Sequence, residues 1–268
     1  MKSLEFRIPM PLELNQYPVG QNWTFLEQSK RETGGGEGVR IIEDKVIQNQ
    51  QFTYKIYAVE SKVPLWLRTL LRPLIGADNN AYEFHEEAWN AYPVCKTVIT
   101  NPGYMKENFK VEIESVHSEG NPWKEGKQNE RETEVLDIFR YIFLAPNSNF
   151  LKCESFLYFR DKCSYLNLDL SKNYDSNWMQ STQPIMTCYK TVTVHCKIFG
   201  LQTKLESLII NAYRDMLLGF HQQMWHWLDN WLPLTLEEVA ELEKQGRIQL
   251  TKKIATKQKC GSMLIGEQ

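Results

Sequence analysis

Between Cys188 and Trp231 the spacing of apolar residues changes from two to about 3.6, and that change decides the fold class. Cys188-Tyr-Lys-Thr-Val-Thr-Val-His-Cys-Lys-Ile-Phe199 alternates as a strand does and ends at Gly200. Beyond it, Leu201, Leu205, Leu208, Ile209, Ala212, Met216, Phe220, Met224, Trp227 and Trp231 recur every three or four residues. This spacing predicts one amphipathic helix of about eight turns, stopped by Pro233. Thr235-Leu-Glu-Glu238 has the form of a capping box and predicts a second helix to about Leu250.

Upstream, the period of two dominates. Leu4, Phe6, Ile8 and Met10 alternate with Glu5, Arg7 and Pro9, as in a half-buried strand. Phe52, Tyr54, Ile56 and Ala58 share one face of another strand, with Thr53, Lys55, Tyr57 and Val59 on the other. Phe109, Val111, Ile113 and Ser115 alternate with Lys110, Glu112 and Glu114. Asn101-Pro-Gly103 and Glu119-Gly-Asn-Pro122 supply turns. The first two-thirds therefore reads as strands and the last quarter as helices. The expected fold is α+β, a mostly antiparallel sheet closed by two long helices.

Length and charge narrow the function. At 268 residues, without a repeat or low-complexity linker, the chain reads as one domain over 1–268. A domain of this size buries roughly 70–75% of its unfolded surface, enough for a core and an internal cavity. The net charge of −2 argues against nucleic acid as the main partner. Lys252, Lys253, Lys257 and Lys259 give the end, about 251–268, a basic tail. MKSLEFRIPMPLEL lacks the apolar stretch of a secretory signal, and no run approaches the length of a membrane span. Six cysteines without a CxxC pair read as reduced thiols, so the expected location is cytoplasmic.

The catalytic inventory is thin. There is no GxSxG, HExxH or P-loop, and no metal or cofactor is expected. Thr33-Gly-Gly-Gly-Glu-Gly38 lacks the Lys-Ser/Thr of a phosphate loop and reads better as a turn. His221 and His226 are five apart, so they do not share a helix face as metal ligands would.

Two features resist a bland reading. Lys190 shares its strand face with Cys188, Val192, Val194 and Cys196, and Lys55 shares one with Thr53, Tyr57 and Val59. Burying an ammonium is costly unless an anion meets it. Either these lysines pair with internal carboxylates or sit harmlessly on edge strands, or the sheet surrounds a cavity for an anionic ligand. The second feature is Val63-Pro-Leu-Trp-Leu-Arg-Thr-Leu-Leu-Arg-Pro-Leu-Ile75, apolar on several sides. It is a short buried helix, or a lid whose Trp66 and leucines touch a bilayer.

Several stretches together carry a family pattern: Thr33–Val39, Tyr54-Lys-Ile-Tyr57 leading to Ser61-Lys-Val-Pro64, Ala88-Trp-Asn-Ala-Tyr-Pro93 and Thr97-Val-Ile-Thr-Asn101. Tyr189-Lys-Thr-Val-Thr-Val194, Gly200-Leu-Gln202 and Trp227-Leu-Asp229 complete it. In this order the chain resembles the phosphatidylinositol transfer proteins over most of its length, the span 119–181 excepted. The resemblance implies a single START-like, helix-grip domain around a lipid cavity. It implies a carrier, not an enzyme, that takes one phosphatidylinositol or phosphatidylcholine from one membrane and exchanges it at another. The lipid would be cargo rather than cofactor, the protein a monomer meeting membranes transiently. A START-like cavity enzyme and a lipid-sensing module remain the alternatives.

The resemblance also assigns residues. Thr53, Lys55, Glu86, Asn90 and Glu243 would bind the inositol ring; Gln21, Thr97, Ser115 and Lys190 would contact the phosphate. Cys95 would lie near the headgroup. Trp66, Leu70, Leu71 and Leu74 of the exchange loop would dock on the membrane with Ile198 and Phe199, where relatives often carry paired tryptophans. Ser115 stands where relatives often have Thr and keeps the hydroxyl. The exchange-loop region carries extra residues around Gly76–Tyr82, and the loop before residue 188 is shortened, so phosphoregulation does not carry over.

Overall fold

The computed structural model describes residues 1–33, 38–48, 50–59, 79–123, 132–140 and 177–255. Eight strands are present among them: β1 (Lys2–Met10), β2 (Gly38–Ile47), β3 (Gln50–Ala58), β4 (Glu83–Ala91), β5 (Val94–Asn101), β6 (Lys106–Glu119), β7 (Thr133–Val135) and β8 (Met186–Cys196). They form one sheet in the order β2-β3-β4-β5-β6-β8-β1-β7. All neighbours are antiparallel except β7, which lies parallel to β1. The helices are α1 (Tyr17–Glu32), α2 (Trp178–Ser181), α3 (Gln202–His226), α4 (Leu228–Trp231) and α5 (Leu236–Ala255).

The α+β class holds, and β6 and β8 alternate as expected. In β6, Phe109, Val111 and Ser115 are buried while Lys110 and Glu114 reach solvent. In β8 every second residue from Met186 to Cys196 is buried, including Val192 and Val194. Each such valine contributes roughly 1.5–3 kcal/mol on leaving water. The capping box is formed as read: the Thr235 backbone N–H donates to Glu238 Oε2 at 2.8 Å, and the Glu238 N–H to Thr235 Oγ1 at 3.2 Å.

Four expectations are corrected. The first two-thirds is not all strand, because α1 intervenes at Tyr17–Glu32. Its inner side includes the buried polar residues Thr24 and Ser29 beside Tyr17 and Leu26, so it carries no clean apolar stripe. The expected eight-turn helix breaks at Trp227, whose φ of −93° and ψ of 17° separate α3 from α4. Its buried line also runs through Leu217, Leu218 and His221, leaving Met216 exposed. Strand β1 is not half-buried, since it lies between β8 and β7, with Glu5 buried against Arg7 at 2.8 Å. Finally, α5 runs five residues past Leu250, to Ala255.

The helices pack closely on one side of the sheet. A Cβ at Gly20 would stand 2.9 Å from the Trp231 ring, so α1 meets α4 only because that position is bare. A Cβ at Gly246 would stand 2.3 Å from Leu26 Cδ1, which brings α5 equally near α1. Trp225, Trp231, Tyr17 and Phe6 are buried between helices and strands.

Candidate functional site

Sheet register brings the candidate residues together. Residues directly opposite across neighbouring strands share a face, as do residues two apart along a strand. One row runs Gln51, Asn90, Cys95, Ser115, Lys190, Phe6 across β3, β4, β5, β6, β8 and β1. The next runs Thr53, Ala88, Thr97, Ile113, Val192, Leu4, and the third Lys55, Glu86, Ile99, Val111, Val194, Lys2. All eight strand candidates therefore occupy three consecutive rows of one face. That face lies under the helices: the Lys55 ammonium sits 4.0 Å from the centre of the Phe25 ring of α1, and Tyr17 of α1 reaches Cys188.

Neither lysine lies on an edge strand, because β3 runs between β2 and β4 and β8 between β6 and β1. Their surroundings differ. Lys55 is ion-paired to Glu86, directly opposite, at 3.1 Å, and the Tyr57 hydroxyl donates to the other oxygen of Glu86 at 3.0 Å. Lys190 is only 8% exposed, and among the described residues no carboxylate stands within ion-pair distance of it. Its amine donates to Ser115 Oγ at 3.2 Å and to the Cys188 thiol. Burying an ammonium without an anion is costly.

The other candidates surround these two. Thr53 presents a buried Oγ1 with no partner, a free donor one row from Lys55. Cys95 and Thr97 are half-buried, and Asn90 is exposed at the end of β4. Burial pushes the Cys95 thiol up, and the Lys190 charge opposes this. Gln21 is one turn beyond Tyr17 and one before Phe25, on the α1 stripe that meets the sheet. Glu243 of α5 has its carboxyl pushed up to about 7 by burial, an effect the nearby Lys55 opposes. A raised acid favours folding while protonated, so its contribution fades as pH climbs from about 4.5 to 7. Glu243→Gln is accordingly expected to raise thermal stability at pH 8 and leave it unchanged at pH 5. Equal shifts in Tm at both values would show that the carboxyl is not held neutral.

Sequence reading passed over a second group on the same face. Tyr17, His117, Cys188 and His221 form a buried cluster beside Lys190. His221 Nδ1 donates to the Leu217 carbonyl at 2.7 Å, and its Nε2 accepts from the Tyr17 hydroxyl at 2.9 Å, so the ring is fully satisfied. His117 follows Ser115 by two residues, and that spacing was the available signal. Among the described residues no three His, Cys, Asp or Glu gather as metal ligands would.

Phe199 and Ile198 part company in the turn between β8 and α3. Phe199 is 104% exposed, whereas Ile198 packs partly against the core. Gly200, at φ 73°, lets the chain turn directly after them. Trp66, Leu70, Leu71 and Leu74 lie outside the described residues, as do most of the Gly-rich turn and the basic tail beyond Ala255. An open groove of about 430 Å³ runs along α3 between Thr203 and Asn211, and no candidate residue lines it.

A helix-covered sheet face that sets cations, hydroxyls and a carboxylate among aliphatic side chains defines a binding fold for an amphiphile. The chain belongs to the phosphatidylinositol transfer protein family, whose model matches residues 1–247. It is 36% identical over 266 residues to phosphatidylinositol transfer protein 1 of Dictyostelium discoideum, covering 94% of this chain and 96% of that protein. It is 31% identical to the human phosphatidylinositol transfer protein beta isoform, over 97% of this chain and 95% of that one. Protein retinal degeneration B of Drosophila melanogaster matches 98% of this chain at 32% identity, in 22% of its own length.

Proposed function

We propose that the chain is a phospholipid carrier that lifts one phosphatidylinositol or phosphatidylcholine from a membrane, encloses it and releases it at another. The observation that carries this reading is Lys190, buried on the helix-covered face with hydroxyl and thiol neighbours and no carboxylate. A phosphodiester supplies the missing charge. Ser115, Thr97 and Gln21 add donors to its oxygens, while Thr53, Lys55, Glu86, Asn90 and Glu243 address the inositol hydroxyls. Cys95 stands in the Ser115–Lys190 row, beside the headgroup.

The rest follows from the lipid. Two acyl chains carry about 30 methylenes, so bare passage through water costs about 24 kcal/mol at roughly 0.8 kcal/mol each. A closed apolar sleeve removes that cost, and we read the sheet and helices as a START-like helix-grip domain spanning 1–268. Residues 63–75 lie outside the described residues, and we assign them the membrane contact through Trp66, Leu70, Leu71 and Leu74. The protein works as a cytoplasmic monomer, holds lipid as cargo rather than cofactor, catalyses no reaction, and has no nucleic-acid partner. No described helix is long and apolar enough to cross a membrane. Native mass spectrometry of the purified protein tests the reading. One phospholipid-sized adduct is expected, identified as phosphatidylinositol or phosphatidylcholine after extraction; an empty chain sinks the proposal.

Phe199 is the docking side chain of the β8–α3 turn. Phe199→Ala is expected to slow transfer between vesicles several-fold with bound lipid unchanged, because its ring, already in water, gains by entering the bilayer. Ile198→Ala is expected to have a smaller effect on transfer and a larger one on stability. Unaltered transfer by the Phe199 variant removes the turn from the membrane contact.

A further inference from the structure

We propose that His117 is a further ligand of the lipid phosphate, donating Nε2–H to a phosphoryl oxygen that sits against Lys190 and Ser115. The inference rests on the carrier reading and names a residue that reading did not include.

The geometry around the ring is unusually restrictive. His117 is 2% exposed and lies on β6 two residues beyond Ser115, on the same face, opposite Cys188. It stacks on Tyr92, with ring centroids 4.9 Å apart, and meets Tyr17 at a tilt of 39° with centroids 4.7 Å apart. Its Nδ1 is 2.9 Å from the Pro93 carbonyl oxygen, which only accepts, so Nδ1 carries a proton. The other nitrogen, Nε2, is buried and meets no partner. An unsatisfied buried nitrogen next to an unpaired buried ammonium is costly twice over, and one anionic ligand group answers both. His221 offers no such atom, since both its nitrogens are engaged.

The charge state follows from what surrounds the ring. β8 presents Lys190 and Cys188, α1 presents Tyr17, α3 presents His221, the β4–β5 turn presents Tyr92, β5 presents Cys95, and β6 itself presents Ser115. Without ligand, burial first and the Lys190 charge second hold His117 down to about 4, so Nε2 is a bare lone pair. A phosphodiester carries one negative charge and offers only acceptor oxygens near Lys190. Two lone pairs facing each other repel, so the pair is stable only with a proton on Nε2. The phosphate cancels the field of Lys190 and adds its own attraction, and both effects favour the protonated ring. Loading the lipid therefore takes one proton from solvent onto His117, and unloading returns it. Phosphatidylinositol and phosphatidylcholine share the phosphodiester, so the proton accompanies either.

The test uses wild-type protein loaded with phosphatidylinositol, the adduct verified by native mass spectrometry, with nitrogen-15 histidine resonances recorded at pH 7.5. Both ring nitrogens of His117 are expected to be protonated, with Nε2–H coupled to the lipid phosphorus. His117→Phe is expected to slow phosphatidylinositol and phosphatidylcholine transfer equally, about ten- to hundred-fold, the range of one charge-assisted hydrogen bond. His117→Gln, an uncharged donor, is expected to recover part of that rate and lose its pH dependence. A verified adduct with Nε2 unprotonated, or bonded to water alone, overturns the assignment while leaving the carrier reading intact. Absence of any adduct overturns both.

Discussion

Lys190→Met is expected to make the lipid-free protein more stable and nearly unable to transfer phospholipid. The ammonium is buried on the face shared with Val192 and Val194, with Ser115 and Cys188 as neutral partners. In the lipid-free state its desolvation is compensated only in part. Replacing even a buried ion pair by apolar side chains of similar volume is neutral or stabilises by about 1–4 kcal/mol, and Lys190 lacks the attraction such a pair would have. Lipid-free variant and wild type compared by urea unfolding should show a gain within that range. The cost falls on binding. A phosphate buried without its cation loses about 3–5 kcal/mol, which lowers affinity for inositol and choline lipids alike by a hundred-fold or more. A stability loss of similar size would reveal a carboxylate partner for Lys190 and remove the reason to place a phosphate there. Unchanged transfer of both lipids would do the same.

Much of this site could be read from the chain because strand alternation is a local property. The Cys188–Phe199 pattern already put Lys190 among valines and cysteines, and the Phe52–Val59 pattern put Lys55 on one face with Thr53. Which strands neighbour one another is not local. The row Asn90, Cys95, Ser115, Lys190 joins four strands whose residues span 100 positions of sequence, and only their hydrogen-bonded register shows that they share a face. The same holds for edges. β8 looked capable of ending the sheet, yet β1 returns from the N-terminus to cover it, and β7 then covers β1.

The helices were legible in proportion to how apolar their inner faces are. The stretch from 201 to 231 was visible, although Trp227 divides it, because leucines, methionines and tryptophans dominate there. Helix α1 was hidden because its packed side includes Gly20, which allows close approach, and the small polar residues Thr24 and Ser29, which break the apolar stripe. His117 escaped for a related reason. A lone histidine on a strand is usually an ordinary satisfied residue, and only the Pro93 carbonyl and the buried, unpartnered Nε2 distinguish it.

Lys55→Ala is expected to separate the two lipids. In the structure Lys55 bridges the Phe25 ring and the Glu86 carboxylate, the side chains of Lys55 and Glu86 are 14% and 13% exposed, and Tyr57 holds the far oxygen of Glu86. Inositol brings hydroxyls that both donate and accept, so it can enter this pair and be held by cation and carboxylate at once. Choline brings neither kind of group. Losing one hydrogen bond to a charged partner costs about 1.5–3 kcal/mol, or roughly ten- to hundred-fold in phosphatidylinositol transfer, with phosphatidylcholine transfer altered less than about three-fold. The substitution also leaves Glu86 partly buried without its cation, a folding defect that would depress both lipids together. Lys55→Ala combined with Glu86→Gln removes that defect, since the amide keeps the shape and drops the charge. The discriminating quantity is therefore the ratio of the two transfer rates rather than either one. A ratio equal to wild type in both variants would move the inositol ring away from β3 and β4, whereas a selective fall in the double variant would fix it there through hydroxyl contacts that the choline lipid cannot make.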